Sequence, residues 1–126
     1  MKSDPRLLDQ FKYFNRKFFD KRLPDSIVCW GVMKPNKDGN TPVGRLLRKK
    51  YIRYRVTGNK WIMFKTDRPV ILISTLFLKY HWHGFTQQTL LHEMAHLAIP
   101  MRFYHGPRFQ KEMLRLAKIG AFKGLW

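Results

Sequence analysis

The chain has 126 residues, 44% of them hydrophobic and only one a cysteine, and its 25 Lys and Arg against 8 Asp and Glu give a formal net charge of +17. This length predicts one domain spanning residues 1–126, and the single cysteine excludes an internal disulfide and a C-terminal zinc ribbon of four cysteines. Residues 1–9 carry charges where a signal peptide has an apolar core, and the longest apolar runs are too short to cross a bilayer. We therefore expect a cytoplasmic protein, nucleoid-associated if the source is a bacterium or a phage.

The first third of the chain predicts a helix followed by a strand. Residues 5–20 place apolar side chains at helical spacing. The resulting buried stripe consists of Leu7, Phe11, Phe14 and Phe18. Leu23-Pro24-Asp25 ends the helix, and residues 27–30 begin a sheet in which Cys29 is a core residue rather than a nucleophile. Residues 34–42 contain Pro, Gly and Asn and predict a mobile loop.

The middle of the chain predicts a β-hairpin and one more strand. Residues 51–56 and 61–64 are strand-forming segments on either side of a Thr-Gly-Asn-Lys turn, and residues 70–73 are a short apolar strand. Ser74 can cap a short helix that follows. That helix contains Leu76, Phe77 and Tyr80.

Two longer helices complete the predicted fold. Thr86 is the expected N-cap of the first of them, and Pro100 closes it. The second runs over residues 107–118. Its inward-facing side chains are Phe109, Met113 and Leu116. The whole pattern predicts an α+β fold in which an N-terminal helix, a short and mostly antiparallel sheet and two later helices form a small domain.

The first of these helices carries an HExxH motif made by His92, Glu93 and His96. Residues four apart lie on one helix face, roughly 5 to 6 Å apart at Cβ, so His92 and His96 can bind one Zn²⁺ through their ring nitrogens. Glu93 lies roughly 100° further round the helix, where its carboxylate can take a proton from a zinc-bound water. The motif predicts zinc-dependent peptide hydrolysis with Glu93 as the catalytic base.

The alternative interpretation is a buried helix whose two histidines only form hydrogen bonds. Thr89 shares one wedge of the helix with the three motif residues, while Leu, Met and Ala side chains fill the rest of the circumference. This division by chemistry favours the metal site, because one side of the helix can line a cleft while the other packs in the core.

A catalytic zinc needs a third protein ligand and an open position. Downstream of the motif the candidates are His105 and Glu112, because no Asp or Cys follows. His105 is favoured, since Gly106-Pro107 suits the start of a new helix and a short loop can bring His105 back to the metal. Glu112 stays open as the ligand of a gluzincin-type site. The metzincin pattern is excluded, because Ile99 and Arg102 occupy the positions of its Gly and its third His.

The motif and the segment after it resemble a known protease family. The HExxH motif followed by His105-Gly106-Pro107-Arg108-Phe109 is similar to the HExxH and HG-x-x-F elements of SprT-like metalloproteases. Other elements similar to the family are residues 14–19, Leu23-Pro24, Trp30, Val43-Gly44 and residues 70–74. The resemblance implies a zincin-like SprT-like domain with Glu93 as general base. Its zinc ligands would be His92, His96 and His105.

The same resemblance implies substrates that are held on DNA, because the family includes the Spartan proteases, which act on DNA-bound proteins. Two features of this chain differ from the family pattern. It has no four-cysteine zinc ribbon, and its loop between His96 and His105 is short compared with that of the Spartan proteases. Any nucleic-acid contact is therefore expected to come from the catalytic domain itself.

The excess of positive charge indicates a polyanionic partner, and DNA is the expected one. The predicted contacts in the first basic cluster are Arg45, Arg48, Lys49, Lys50, Arg53 and Arg55. Those on the last helix are Arg108, Lys111, Arg115 and Lys118. Phosphate contacts of this kind give salt-sensitive, largely sequence-independent binding. Stacking of unpaired bases on Tyr51, Tyr54 and Trp61 would favour single-stranded or distorted DNA.

The charge and the aromatic residues also allow three other interpretations. The basic residues can form an ordinary solvated surface, the aromatic residues can pack in a sheet, and the positive field can recruit acidic protein substrates. A membrane partner is not expected, because no strongly amphipathic basic helix with exposed Trp or Leu is evident.

Together these patterns predict a monomeric zinc metalloendopeptidase, a hydrolase that cleaves DNA-associated or DNA-crosslinked proteins in DNA–protein crosslink repair. The alternative is a non-catalytic nucleic-acid-binding module with a structural zinc site. A structural site usually has four protein ligands. His81 and His83, just before the motif helix, are candidates for the fourth.

Overall fold

Four helices and five strands make up the part of the chain that this computed structural model describes, residues 2–48, 51–57, 60–80, 83–100 and 106–124. For residues 51–57, 60–62 and 64 the description covers the backbone only. The elements are α1 (Pro5–Phe18), β1 (Ile27–Gly31), β2 (Gly44–Leu47), β3 (Tyr51–Thr57), β4 (Lys60–Lys65), β5 (Val70–Ser74), α2 (Thr75–Lys79), α3 (His83–Leu97) and α4 (Pro107–Lys118). This combination confirms the predicted α+β fold.

A three-stranded sheet with the order β1-β5-β2 lies at the centre of the fold. β5 pairs in parallel with β1, with Val70 opposite Ile27, and antiparallel with β2, with Ile73 opposite Gly44. All five residues of β5 are buried, as expected for a short apolar strand that is flanked on both edges and covered on both faces. β2 is an edge strand of this sheet, and it is the strand that the sequence prediction missed.

The predicted hairpin forms a second, two-stranded sheet. β3 and β4 pair antiparallel, with Tyr51 opposite Lys65, and the register shifts between Arg55 and Thr57. Two of the three strand pairings in the described residues are therefore antiparallel, in agreement with the predicted sheet.

Alternation along the central strands divides the apolar core into two clusters. The larger cluster contains Val28 and Ile71 together with the predicted stripe of α1. All four stripe residues are buried. The smaller cluster contains Cys29, Val70 and Leu72. Burial raises the pKa of the Cys29 thiol to about 11, which agrees with a core role and leaves little nucleophilic thiolate at neutral pH.

The turn after α1 explains why the helix ends at Phe18, two residues before the predicted end at Asp20. Asp20 and Lys21 have φ angles of 52° and 60°, which lie outside the right-handed helical region. The Asn15 side chain braces this turn by accepting from the Leu23 backbone N–H at 3.1 Å and donating to the Leu23 carbonyl at 3.2 Å. The chain is thereby directed from α1 into β1.

The start of α3 differs from the prediction. The sequence predicts Thr86 as its N-cap, but α3 begins at His83 and Thr86 is a buried residue within the helix. Beside this first turn, Phe85 stacks on Phe77 of α2 with ring centroids 6.3 Å apart. Such a tertiary contact can extend a helix beyond a residue that is well suited to cap it, and capping chemistry alone does not reveal it.

The remaining helix boundaries agree closely with the sequence. Ser74 caps α2 as predicted, although Tyr80 lies at its C-cap rather than inside it. α4 has the predicted limits, and its side chains Phe109 and Leu116 are buried while Met113 is half-buried against the core. None of the helices in the described ranges is both long enough and apolar enough to cross a membrane.

Candidate metal centre and active-site cleft

Helix α3 brings the two histidines of the motif together. Their Nε2 atoms lie 3.1 Å apart, and their rings are inclined by 74° with centroids 4.8 Å apart. Two nitrogens bound to one tetrahedral zinc at 2.0–2.1 Å would be separated by roughly 3.3 Å. The positions of His92 and His96 therefore fit a shared metal ion.

Glu93 is a buried carboxylate beside this pair. It is 4% exposed, and its Oε2 atom has no hydrogen-bond partner among the described residues. Burial raises the pKa of Glu93 to about 7, and the Arg45 guanidinium has a smaller, opposing effect. Leaving a buried polar atom without a partner costs free energy. Such an atom is expected where a carboxylate serves a metal centre rather than a packing contact.

Gly44 lets the edge strand β2 approach Glu93 closely. A Cβ atom at position 44 would lie 2.6 Å from Thr89 Cγ2 and 3.2 Å from both Cγ and Oε1 of Glu93. Contacts under 3 Å are sterically forbidden, so only glycine fits without a shift of the Thr89 side chain or of the backbone on either side. The pairing of this edge continues one residue further, because the Ser74 N–H donates to the Val43 carbonyl at 2.9 Å. The β2 backbone thus runs directly beside the motif carboxylate.

Phe109 of α4 packs against both motif histidines. Its ring stacks on that of His96 with centroids 4.0 Å apart and planes inclined by 8°, and it meets the His92 ring edge-on at 5.0 Å. Phe109 is itself 4% exposed. Because close-packed rings have few alternative rotamers, Phe109 fixes the direction in which the two imidazoles point.

Arg48 binds the C-terminal end of α3. Its Nη2 atom donates to the carbonyls of His96 and Ile99, the latter at 2.9 Å. The last carbonyls of a helix have no partner within the helix, and a cation there also interacts favourably with the helix dipole. Arg48 therefore holds the end of the motif helix against the segment that follows β2.

The candidate third ligands are placed differently. His105 lies outside the described residues. Glu112 accepts hydrogen bonds at Oε1 from Nε and Nη2 of Arg115, at 3.1 and 2.5 Å, so its carboxylate is engaged in an ion pair. Within the described ranges, no group of three His, Cys, Asp or Glu side chains is placed to hold a metal ion.

A cleft of about 420 Å³ contains the motif residues. The described residues that line it are Pro42, Val43, Gly44, Gln88, Thr89, His92, Glu93, His96, Met113 and Phe122. A larger cavity of about 620 Å³ lies beside Arg48, Thr66 and Leu97 and contains none of the motif side chains among its described lining. The smaller cleft is therefore the candidate active site, because the motif side chains line it.

The predicted DNA contacts fall into three groups. Exposed side chains belong to Arg45, Arg108, Lys111 and Lys118. Two others are half-buried and bond backbone carbonyls, since Arg48 binds the end of α3 and Arg115 Nη1 donates to the Phe18 carbonyl at 2.8 Å. Lys49 and Lys50 lie outside the described residues, and for Arg53 and Arg55 only the backbone is described.

A pair of histidines and a buried glutamate on one helix, beside an edge strand, are the elements of a metallopeptidase-like centre. A comparison with protein-family models matches residues 7–123 to the SprT-like family, so the chain belongs to that family. The family is associated with zinc binding and with zinc metallopeptidase-like proteins. Searches of curated proteins and of solved structures found no match.

Sequence reasoning identified the motif but missed three features of its surroundings. The sequence indicated Gly44 only as part of the family-like Val43-Gly44 element, Arg48 only as a DNA contact, and Phe109 only as a core residue and a motif position. The HG-x-x-F spacing was a usable indication for Phe109, because it places the ring in the first turn of α4, four residues after His105 in the sequence. The roles of Gly44 and Arg48 depend on contacts between distant segments, and no local pattern indicates them.

Gly44→Ala is expected to destabilise the protein by about 1–3 kcal/mol, since the added Cβ overpacks the contact with α3. Adding Thr89→Ser, which removes the Cγ2 methyl nearest to that Cβ, should recover much of the loss. Urea denaturation of the single and double variants measures both effects. Gly31→Ala is the matched control, because its Cβ would meet Leu72 at an ordinary 3.4 Å. Equal losses for the two glycine variants would contradict the close approach.

Phe109→Leu is expected to weaken zinc binding roughly tenfold, because residues that orient metal ligands typically contribute at least that much to affinity. Phe14→Leu is the control, since Phe14 is buried in the same core but lies on α1. Competition with a chelator measures zinc affinity, and urea denaturation measures stability. Both variants should lose stability, but only Phe109→Leu should lose zinc affinity. Similar affinities in the two variants would show that Phe109 does not orient the ligands.

Proposed function

We propose that this chain is a zinc-dependent metalloendopeptidase whose substrates are proteins bound or covalently crosslinked to DNA. The observation that carries the peptidase half is the convergence of His92 and His96, with Nε2 atoms 3.1 Å apart, beside the buried carboxylate of Glu93. The Oε2 atom of that carboxylate accepts no hydrogen bond from the residues that the structure describes. Membership of the SprT-like family supports the same reaction class.

His92 and His96 would hold the metal, with His105 as the proposed third ligand. Glu112 is the weaker candidate, because its Oε1 atom already accepts from Arg115. Zinc bound there would supply a Lewis acid that polarises the scissile carbonyl and lowers the pKa of a coordinated water to about 7.

Glu93 is the proposed general base. Its Oε2 atom takes the proton of the attacking water and later passes it to the leaving amine, which keeps the proton balance within one carboxylate. The position of Glu93 is fixed from two sides, because it belongs to the buried helix α3 and its Cγ and Oε1 atoms lie against the β2 backbone at Gly44. Because the carboxylate is already oriented, little conformational entropy is lost when it meets the reacting water.

The substrate backbone is proposed to lie along the β2 edge beside the cleft. β2 pairs with β5 on one side, and an extended peptide can add to the other side of an edge strand through main-chain hydrogen bonds. Main-chain recognition depends little on sequence. It would suit an enzyme that must cleave many different DNA-bound proteins.

DNA is the proposed polyanionic partner, because the chain carries a net charge of +17. The structure narrows the choice of phosphate-binding residues. Arg48 and Arg115 have hydrogen bonds to backbone carbonyls that a phosphate would have to replace. Lys111 and Lys118 are exposed on α4, opposite the buried face of the helix that carries Phe109. These two lysines are therefore the better candidates for phosphate contacts. The proposed location of the protein is the cytoplasm.

The competing function is a nucleic-acid-binding module in which zinc only braces the fold. That function requires a fourth protein ligand to close the site. Of the two candidates, His81 lies outside the described residues. His83 lies nine residues before His92 on α3, roughly 13.5 Å along the helix axis, which is too far for the two to share a metal ion. The buried Oε2 atom of Glu93, which has no hydrogen-bond partner in the described part of the chain, also favours the enzyme.

Glu93→Gln is expected to lower cleavage at least 100-fold, as loss of a general base typically does, while zinc and DNA binding are retained. The zinc-loaded protein and the variant are incubated with a DNA-binding protein substrate, with and without single-stranded DNA, and fragments are followed on gels. Glu112→Gln is the matched control and should remain active. Persistent cleavage by Glu93→Gln would overturn the role of Glu93, and loss of zinc from Glu112→Gln would make Glu112 the third ligand.

The double variant Lys111→Gln/Lys118→Gln is expected to weaken binding to single-stranded DNA and to reduce the slope of log K against log salt by about 0.7 per lost phosphate contact. Fluorescence anisotropy at several salt concentrations measures both quantities. Lys34→Gln/Lys37→Gln removes the same charge from the exposed 34–42 loop. Equal losses in the two double variants would mean that only net charge matters and that α4 is not the contact surface.

A further inference from the structure

The lining of the active-site cleft contrasts with the composition of the chain. Lys and Arg account for 25 of the 126 residues, yet none of the described residues that line the cleft is a Lys or an Arg. Apart from the motif, its walls are mainly apolar, with Pro42 and Val43 on the β2 side and Met113 and Phe122 on the α4 side. The charge that attracts a polyanion therefore lies outside the cleft, among the described residues.

The α4 side of the cleft is a fixed apolar wall. Phe122 is 6% exposed and belongs to the turn that follows α4. Gly120, with a φ of 84°, terminates the helix, and the Ala121 N–H donates to the Leu116 carbonyl at 2.9 Å. This closing turn directs Phe122 back against the core. Met113 lies beside it, half-buried, and packs against the same core cluster.

We propose that Met113 and Phe122 form a subsite that binds an uncharged, apolar side chain of the substrate next to the scissile bond. This inference rests on the proposed peptidase function and names the substrate feature that the same cleft selects. An apolar side chain leaves water for the ring of Phe122 and the thioether of Met113, which is favourable.

Charged side chains fit this subsite poorly. An Asp or Glu would lie close to the Glu93 carboxylate, and the described lining holds no Lys or Arg to pair with it. A Lys or Arg could pair with Glu93, but it would then occupy the catalytic base. The cleft therefore argues against recruitment of acidic segments to the cleavage site, although acidic surfaces elsewhere on a substrate could still meet the basic exterior.

Met113 is the residue to vary, because it is half-buried and its loss should leave the fold intact. Met113→Ala enlarges the subsite and should shift the preference from Leu towards Trp. Changes in the size of an apolar pocket typically alter discrimination by roughly tenfold or more. Met63→Ala is the matched control, since Met63 is 66% exposed on β4.

The experiment maps cleavage sites in denatured proteins by mass spectrometry for the zinc-loaded wild type, Met113→Ala and Met63→Ala, with Glu93→Gln as the blank. We expect Leu, Met or Phe to be enriched at one fixed position beside the scissile bond. The Leu-to-Trp ratio at that position should fall about tenfold in Met113→Ala and stay unchanged in Met63→Ala. Glu93-dependent cleavage without apolar enrichment, or an unchanged ratio in Met113→Ala, would overturn the subsite and leave the peptidase intact.

A second measurement separates failure of the subsite from failure of the peptidase proposal. Fluorescent peptides that differ only in one residue, Leu, Trp, Glu or Lys, are titrated into zinc-loaded Glu93→Gln with Met113, Met113→Ala or Met63→Ala. Tighter binding of the Leu peptide that depends on Met113 supports the subsite, even if the wild type cleaves nothing and the peptidase proposal falls. Equal binding of all four peptides overturns it.

Discussion

The contact between the β2 backbone at Gly44 and the side chains of Thr89 and Glu93 is the constraint on which the candidate site depends. It requires the separation of β2 and α3 to be kept to within a few tenths of an ångström. β2 is held by its pairing with the fully buried strand β5. α3 is held by Leu90 and Leu91, which are completely buried. Because such close-packed interiors deform little, the position of the Glu93 carboxylate follows from the core rather than from the cleft.

The two histidines are supported from outside their own helix. Phe109 reaches them from α4, while Arg48 binds the carbonyl of His96 from the segment after β2. One contact fixes the imidazole rings, and the other fixes the backbone that carries them. Support of this kind by packed neighbours is what sets the precision of a metal site. A change in α4, or in the segment after β2 that contains Arg48, can therefore alter the geometry of the two histidines.

Local periodicity was sufficient to predict much of the fold. The four-residue stripe of α1 and the limits of α4 follow from apolar spacing alone. The errors occurred where tertiary contacts outweigh local preference. β2 is an ordinary edge strand only because β5 is available to pair with Gly44 and its neighbours, and α3 extends back past Thr86 to His83, beside the ring contact between Phe85 and Phe77.

The candidate site likewise combines features that follow from local sequence with features that depend on tertiary contacts. The relative placement of His92, Glu93 and His96 is a property of any helix with that spacing, so sequence alone could predict it. The charge of Arg48 and Arg115 was equally visible, but their backbone carbonyl partners lie 51 and 97 residues away in the chain. A basic residue that binds a helix end cannot be distinguished by sequence from one that faces DNA. Only the fold decides between the two.

The burial of Cys29 has a practical consequence for solution studies. With a thiol pKa of about 11, roughly one molecule in ten thousand carries the reactive thiolate at pH 7. The thiol is also enclosed by the smaller apolar cluster. Maleimide dyes and thiol-directed spin labels should therefore react very slowly with Cys29. A new cysteine placed on α4 would provide a single attachment point without first removing the natural one, so the distance from α4 to the proposed DNA partner could be measured by fluorescence or electron-spin methods.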